Sequence, residues 1–217
     1  MIDTNMTPDW VANAIKKNPC VLLDSGNIRT CPVRLSFPHL YERSKPIPPN
    51  TVGKFSTNII FAVAADLSLL KQQMNLTIMA KWPTAGTKTG PKLKSPFKLQ
   101  NEMTKYDGYG EEGTYIIAVA DREPAVIDSR LARITDTSRV YPGVWAVVTI
   151  NPFTYDKGVN KGGSFGLQSV MIIADDKNLG GGGGGNLAAD YAGIEIDASV
   201  SSAGVFDDSA EANSLFS

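Results

Sequence analysis

The spacing of apolar residues along the chain predicts two helices. In residues 8–17 (PDWVANAIKK), Val11 and Ile15 are four positions apart, which places both side chains on one helical face. In residues 66–82, apolar positions recur at intervals of three and four behind an aspartate at the N-cap position. Because proline cannot continue a helix, the second helix should end before Pro83.

Five further segments carry the two-residue alternation, or the short run of β-branched and aromatic residues, that is typical of strands. They are residues 33–42, 54–63, 113–121, 144–150 and 164–173. Since only one helix lies between them, the order lacks the repeated strand and helix alternation of a parallel nucleotide-binding sheet. The pattern favours a small closed or partly closed antiparallel barrel, because closure leaves no long unpaired edges.

The fourth predicted strand and two predicted loops contain residues that are expected to lie on the surface. Alternation along residues 144–150 puts four aliphatic side chains inside the barrel and Trp145 outside. We expect such a tryptophan either to be a binding platform or to be covered by the C-terminal tail. Residues 151–163 form the loop of a hairpin. Residues 83–114 form a long polar loop, which at this length is usually functional or mobile.

Charge is unevenly distributed, although the net charge is only −1. Residues 16–105 contain 14 Lys/Arg against 4 Asp/Glu, whereas residues 175–217 contain 8 Asp/Glu and a single lysine. A basic body with an acidic tail indicates a polyanionic ligand and a segment able to compete with it. The polar start of the chain, and the lack of an apolar run of about 20 residues, predict a soluble intracellular protein that does not enter membranes.

Two regions are expected on this basis. Residues 1–178 form the folded domain, and residues 179–217 form a Gly-rich linker and an acidic tail. The six consecutive glycines at 180–185 cannot cover a core and should behave as a flexible coil.

Catalytic and metal-binding chemistry finds little support in the residue types. The chain has two cysteines, Cys20 and Cys31, and one histidine, His39. Three such side chains are too few for a four-ligand Cys/His zinc site. The cysteines are expected to be idle thiols, with a disulfide as the alternative. The paired carboxylates at 111–112 and 175–176 would need further acids to hold a metal ion. No glycine-rich stretch has the Walker spacing, so we predict no catalytic residue, metal or cofactor.

Cations and aromatic rings are interleaved in the two loops and the strands beside them. Lysine and arginine neutralise phosphates, and an aromatic ring stacks on an unpaired base with roughly 1–3 kcal/mol per base. This combination predicts binding to a single-stranded nucleic acid without sequence preference. The candidate contact residues are Arg34, Lys54, Lys88, Lys92, Lys94, Phe97, Lys98, Lys105, Tyr106, Tyr109, Arg139, Tyr141, Trp145, Phe153, Tyr155, Lys157, Lys161 and Phe165.

Three segments resemble a known family, the bacteriophage single-stranded-DNA-binding proteins with an OB-fold, formerly a domain of unknown function. They are RLSFPHLYE, KFSTNIIFA and, above all, VYPGVWAVVTINPFTYDKGVNKGGSFGLQSVMIIADDKNLGG. The resemblance covers most of residues 33–180. One feature departs from it, because residues 99–102 read LQNE where relatives carry a more acidic turn.

The resemblance implies a mainly β protein. It would be a five-stranded OB-fold-like antiparallel barrel with one inserted helix, a short N-terminal helix and a flexible acidic C-terminal tail. It further implies non-catalytic binding of single-stranded DNA in phage replication, recombination or repair, in the cytoplasm of the infected bacterial host. A metal-dependent nuclease and a virion or scaffold protein remain the alternatives. The oligomeric state stays open, with a homo-oligomer as one option.

The end of the chain resembles the tails of other single-stranded-DNA-binding proteins, which pair acidic residues with a near-terminal aromatic residue. Such tails recruit replication or recombination proteins and screen the empty DNA site. The candidate partner-binding residues are Phe206, Asp207, Asp208, Glu211, Leu215 and Phe216.

Overall fold

The computed structural model of the protein describes residues 8–46 and 51–180. The helices are α1 (Asp9–Lys17) and α2 (Ser68–Lys81). The strands are β1 (Val21–Leu22), β2 (Ile28–Arg29), β3 (Val33–His39), β4 (Phe55–Ile60), β5 (Lys98–Leu99), β6 (Thr114–Ala120), β7 (Ala125–Ile127), β8 (Trp145–Lys157) and β9 (Asn160–Ala174). The predicted tail lies outside the described residues from residue 181 onward, as do its six partner-binding residues, and the boundary predicted at 178/179 stays a prediction.

Five strands close into a barrel in the order β3, β4, β6, β9, β8 and back to β3. Four of these junctions are antiparallel, and the β6–β9 junction is parallel. The predicted fold class, a mainly β OB-fold-like barrel with an inserted helix between the second and third barrel strands, is confirmed. Parallel pairing at one junction is a feature that alternation along single strands cannot reveal.

The barrel interior is apolar because alternate residues of each strand point inward. Leu35, Ile59, Ile116 and Val148 are fully buried there. Helix α2 has Leu67 at its N-cap position, so the prediction of Asp66 as N-cap is one residue too early. The Asp66 Oδ1 accepts a hydrogen bond from the Ser68 amide at 2.8 Å. The buried α2 residues Leu70 and Met74 pack into the same core, and their helical face is the predicted one.

Two predictions about loops are wrong in detail. The hairpin loop predicted at 151–163 is mostly strand, since β8 and β9 pair as far as Lys157 and Asn160. The result is a long β-arm that projects from the barrel strands with Gly158 and Val159 at its tip. The loop predicted at 83–114 contains β5 and a single-turn 3₁₀ helix, Gln100–Met103. Four strands of two or three residues, β1, β2, β5 and β7, were too short to produce a detectable period.

Candidate nucleic-acid interface

Arg34 and Trp145 lie side by side on the outer face of the barrel, where β3 pairs with β8. The Asp176 carboxylate accepts a hydrogen bond from Trp145 Nε1 at 2.7 Å and forms an ion pair with Arg34 at 3.1 Å. The Trp10 ring of α1 packs edge-on against the Trp145 ring, with 5.5 Å between centroids. Burial lowers the pKa of the Arg34 guanidinium, and the charge of Asp176 opposes that change.

Residues 175–180, which we call the strap, run across this face. The Tyr141 hydroxyl accepts a hydrogen bond from the Asp176 amide at 3.1 Å, and the Leu179 amide donates to the Pro142 carbonyl at 2.6 Å. Gly143 has a φ of +112°, and a Cβ there would lie 2.2 Å from the carbonyl oxygen of Lys177. Only glycine therefore allows the strap to approach this closely.

Leu179 of the strap enters a small apolar cluster with Ile60, Tyr109 and Tyr115. The Tyr109 hydroxyl accepts a hydrogen bond from Asn58 Nδ2 at 2.8 Å, and the two tyrosine rings meet edge to face at 5.2 Å. Burial raises the pKa of both tyrosines. The strap is thus held by hydrogen bonds at one end and by apolar burial at the other.

Four predicted contact residues are consequently buried, and we correct their assignment. Arg34, Tyr109 and Trp145 are 8 %, 2 % and 3 % exposed, and Phe165 is fully buried in the barrel core. Arg34 and Trp145 still line part of a recess of about 220 Å³ beside Gln100, but most of each side chain is covered. Trp145 does point out of the barrel, but it is covered by Asp176 and by the Trp10 ring; cover by the tail stays a prediction. Tyr141 is half-buried, and burial raises the pKa of its hydroxyl.

A different part of the outer surface is open. Two adjoining recesses of about 210 and 480 Å³ share Lys54 and Val119 and together form what we call the trough. It crosses β4 and β6 and ends at the base of the β-arm. The first recess is lined by Ser44, Lys45, Val52, Gly53, Lys54, Ser56, Ile117 and Val119, and the second adds residues 120–124, Phe153 and residues 166–168.

The trough follows from strand alternation. Ser56, Ile117 and Val119 point outward because Thr57 and Ala118, their neighbours in sequence, are buried inside the barrel. This floor consists of one serine and two aliphatic side chains, with no aromatic ring among them.

Positively and negatively charged side chains line the trough. Lys54 and Asp121 form an ion pair at 3.2 Å, with both side chains largely in solvent. Lys45 and Arg122 are exposed cations, and neither was predicted as a contact residue. Arg43 supports the wall, since its guanidinium lies 4.9 Å from the centre of the Phe55 ring.

The β-arm has one aromatic face. Phe153, Tyr155 and Lys157 alternate along β8 and therefore share a side, opposite Ser164, Gly162 and Asn160 of β9. These partners are small, so they leave the two rings uncovered from across the arm. A Cβ on Gly162 would lie 2.4 Å from the Lys94 carbonyl oxygen and 2.9 Å from the Tyr155 hydroxyl. This glycine therefore allows the backbone at Lys94 and the Tyr155 ring to lie close to the arm.

Lys161, another predicted contact, lies on the opposite side of the arm. It pairs with Asp156 directly across the hairpin, at 3.2 Å between Nζ and Oδ2. Phe153 belongs to both the aromatic face and the trough, so it joins the two surfaces.

The loop between α2 and β5, residues 82–97, is called the lysine-rich loop here, and it contacts the β-arm at Lys94. The Lys94 amide donates to the Lys161 carbonyl at 2.9 Å, and Lys94 and Gly162 form an isolated bridge. Lys88 and Lys92 are exposed in the same loop. The Phe97 ring packs edge-on against buried Phe165 at 5.7 Å, so it is a core residue in part.

A separate aromatic patch lies beside the trough. Phe37 occupies the β-bulge of β3 with a φ of +47°, and its ring meets the Tyr106 ring at 5.1 Å. Lys105 Nζ lies 5.0 Å from the centre of the Tyr106 ring. Phe37 was not predicted, although a phenylalanine before the proline that interrupts a strand is a signal of irregular backbone.

Two predicted cations are connected to neither surface. Lys98 lies 5.9 Å from the centre of the Tyr115 ring, and Arg139 is exposed in the 3₁₀ turn Thr137–Arg139. Within residues 8–46 and 51–180, no group of three or more His, Cys, Asp or Glu side chains could hold a metal ion. In the same ranges, no helix is long and apolar enough to span a membrane.

The closed five-stranded barrel, with a trough over its second and third strands between the first connection and the last hairpin, defines the OB-fold class. The family described as "Enterobacter phage Enc34, ssDNA-binding protein" matches residues 26–200. The chain belongs to this family, as the resemblance in the sequence indicated. The proteins of this family are DNA-binding proteins and not enzymes.

Solved structures give the same fold. The single-stranded DNA-binding protein from bacteriophage Enc34 in complex with ssDNA has a TM-score of 0.61 at 20% identity, covering 75% of this chain and 94% of that one. Another structure of the Enc34 protein gives 0.57 at 22% identity, covering 80% and 94%. The gp2.5 single-stranded DNA binding protein of bacteriophage T7 gives 0.52 at 11% identity, covering 74% and 98%. No curated protein matches the chain.

Proposed function

We propose that the protein binds single-stranded DNA without sequence preference, along the trough and the aromatic face of the β-arm. The observation that carries the proposal is the continuity of these surfaces through Phe153. The cations Lys45, Lys54 and Arg122 along the trough suit a phosphate backbone, and the rings of Phe153 and Tyr155 suit unstacked bases. The solved structure of the Enc34 protein in complex with ssDNA supports the same ligand.

The architecture favours a single strand over a duplex. The rings of Phe153 and Tyr155 can stack on the flat faces of unpaired bases, whereas in a duplex the bases are stacked on one another and expose only their edges. Binding of the single strand alone shifts duplex opening by mass action. This suits a role in phage DNA replication, recombination or repair inside the bacterial host.

The test is a titration of fluorescently labelled oligo-dT, followed by anisotropy, at rising salt concentration. We expect log K to fall linearly with log salt, with a slope of about −0.7 for each phosphate contacted. Unlabelled duplex should compete poorly. The DNA should remain intact when Mg²⁺ is added, which a nuclease would contradict. Salt-insensitive association, or no association as for a virion scaffold, would overturn the proposal.

We also propose that the acidic tail recruits partner proteins and competes with DNA for the basic surface. The surplus of acids after residue 175 supports it. Because Leu179 is 7 % exposed and packs in the cluster with Tyr109, a truncation that tests the tail should retain Leu179 and remove residues 181–217. Tighter DNA binding at low salt is expected from that truncation. Unchanged or weaker affinity would contradict a competing tail.

A further inference from the structure

The two cysteines of the chain are in contact. Cys20 lies between α1 and β1, and Cys31 follows β2. The Cys31 amide donates to the Cys20 sulfur at 3.3 Å. The Cys20 sulfur is therefore in contact with the residue that carries the other thiol, and both cysteines are free thiols.

The surroundings of the two thiols differ. Cys31 is 1 % exposed in the main core, next to Thr30, whose hydroxyl accepts from the Val148 amide at 3.0 Å. Its backbone is thus fixed to the barrel strand β8. Cys20 is only half-buried, so it is the more accessible of the two cysteines.

We propose that Cys20 and Cys31 form a peroxide-sensitive dithiol, in which oxidation creates an intramolecular disulfide that fastens the α1–β1 connection to the barrel. The β1–β2 pairing ends with Val21 opposite Arg29, so Cys20 and Cys31 lie just outside the paired residues. The contact of the Cys20 sulfur with the Cys31 amide keeps the two residues close, and bond formation requires side-chain rotation with a backbone shift.

The chemistry needs a hydroperoxide and no other reactant. The Cys20 thiolate attacks one peroxide oxygen, the O–O bond breaks, and a sulfenic acid forms while water leaves after protonation. The Cys31 sulfur then attacks the Cys20 sulfur, the S–O bond breaks, and a second water carries away the hydroxyl and the Cys31 proton. Two thiols are oxidised and one hydrogen peroxide is reduced.

The electrostatics assign the two roles. The hydrogen bond from the Cys31 thiol lowers the pKa of Cys20, against the opposing effects of burial and of the Asp66 charge. The same hydrogen bond, together with burial, raises the pKa of Cys31. Cys20 is therefore the thiol that reacts with peroxide, and Cys31 is the resolving thiol.

The sequence makes the disulfide easy to detect. Trypsin cleaves after Lys17, Arg29 and Arg34, so Cys20 and Cys31 fall in separate peptides, residues 18–29 and 30–34. After treatment of the full chain with hydrogen peroxide, mass spectrometry should find these peptides joined, with a loss of about 2 Da. Both free thiols should disappear from a titration in denaturant and return with dithiothreitol. Closing this loop should raise the melting temperature by roughly 5 °C.

Two variants separate the roles. In Cys31→Ala, Cys20 should stop at the sulfenic acid, which dimedone traps. In Cys20→Ser, buried Cys31 should stay reduced at the same peroxide dose. Cys20→Ser changes a half-buried side chain, so it tests the proposal even if Cys31→Ala does not fold.

Three results would overturn the proposal. One is a Cys20 sulfinic acid in the wild-type chain with Cys31 still reduced. Another is a dimer linked through Cys20. The third is retention of both thiols under conditions that oxidise glutathione.

Discussion

The strap-covered face and the β-arm contain the same kinds of residue and use them in opposite ways. On the first, Arg34 and Trp145 are buried and bound to Asp176. On the second, Phe153 and Tyr155 stand over small cross-strand partners and are only partly buried. The two regions belong to the same long hairpin, since Trp145 begins β8 and Tyr155 lies near its end.

The difference teaches that the covering segment decides the role. A cation beside an aromatic ring attracts a phosphate and a base when it is open to solvent. The same pair becomes a structural contact when the chain supplies its own carboxylate, as Asp176 does. Variants in the two regions should therefore separate affinity from stability.

The largest effect is expected from removing both rings of the β-arm. In Phe153→Ala/Tyr155→Ala, each lost stacking platform costs about 1–3 kcal/mol, so affinity for oligo-dT should fall at least 30-fold, about 2 kcal/mol. Anisotropy titration at fixed salt measures the loss. The salt dependence of binding should stay as in the wild type, because no phosphate contact is removed.

The matched control for this variant is Tyr141→Phe. It removes a hydroxyl that holds the strap and keeps the ring, so it should lower the melting temperature and leave affinity unchanged. If Tyr141→Phe weakened DNA binding as much as the double variant, the distinction between the two regions would be lost.

The opposite outcome is expected for Leu179→Ala. The Leu179 side chain is buried with Ile60, Tyr109 and Tyr115, so its truncation should reduce the free energy of unfolding by about 2–4 kcal/mol. DNA affinity at a temperature where the variant is folded should not change. Urea denaturation measures the first quantity, and Leu99→Ala, at a 57 % exposed leucine, is the control with little expected loss. A DNA-binding defect without a stability loss would place the strap in the interface.

Sequence patterns predicted the barrel well because its wall strands are long enough to show a period. Inward alternation in β9 also carried an unused signal, since Phe165 and Leu167 are two positions apart and both are buried. The assignment of Phe165 as a contact residue ignored that alternation. For Phe165, the sequence pattern therefore already indicated a buried side chain.

The burial of Leu179 and the position of the trough could not be predicted from the sequence. Leu179 stands alone beside a glycine run, so no apolar period marks it as buried. Its burial depends on Gly143 and on the distant Tyr109, which meet only in the folded chain. For the same reason the trough, which joins Lys45 to Phe153 through Val119, could not be located from spacing.

Removing a positive or a negative charge from the trough should change DNA affinity in opposite directions. Lys54→Ala should weaken oligo-dT binding several-fold and reduce the salt slope by about 0.7, because one phosphate contact is lost. Asp121→Asn should strengthen binding several-fold, because it removes a negative charge and releases Lys54 from the ion pair. Asp156→Asn, which releases Lys161 on the other side of the β-arm, is the control and should have a smaller effect. Weaker binding by Asp121→Asn would exclude this path for the DNA.

The smallest effect concerns the cluster under the strap at alkaline pH. Burial raises the pKa of Tyr109 above its ordinary 10.0, so the folded chain retains a proton that the unfolded chain releases. That stability is fully present below pH 10 and is lost as the pH rises towards the folded pKa. At pH 10.5 the loss from Tyr109 is at most about 0.8 kcal/mol, by linkage.

Urea denaturation from pH 8 to 10.5 should therefore show a shallower decline in the free energy of unfolding for Tyr109→Phe than for the wild type. Tyr155→Phe should decline like the wild type, because the ring on the open β-arm is not part of the cluster that the strap closes. If Tyr109→Phe declined as steeply as the wild type, the Tyr109 hydroxyl would be titrating freely, and the strap would not be sealing that face.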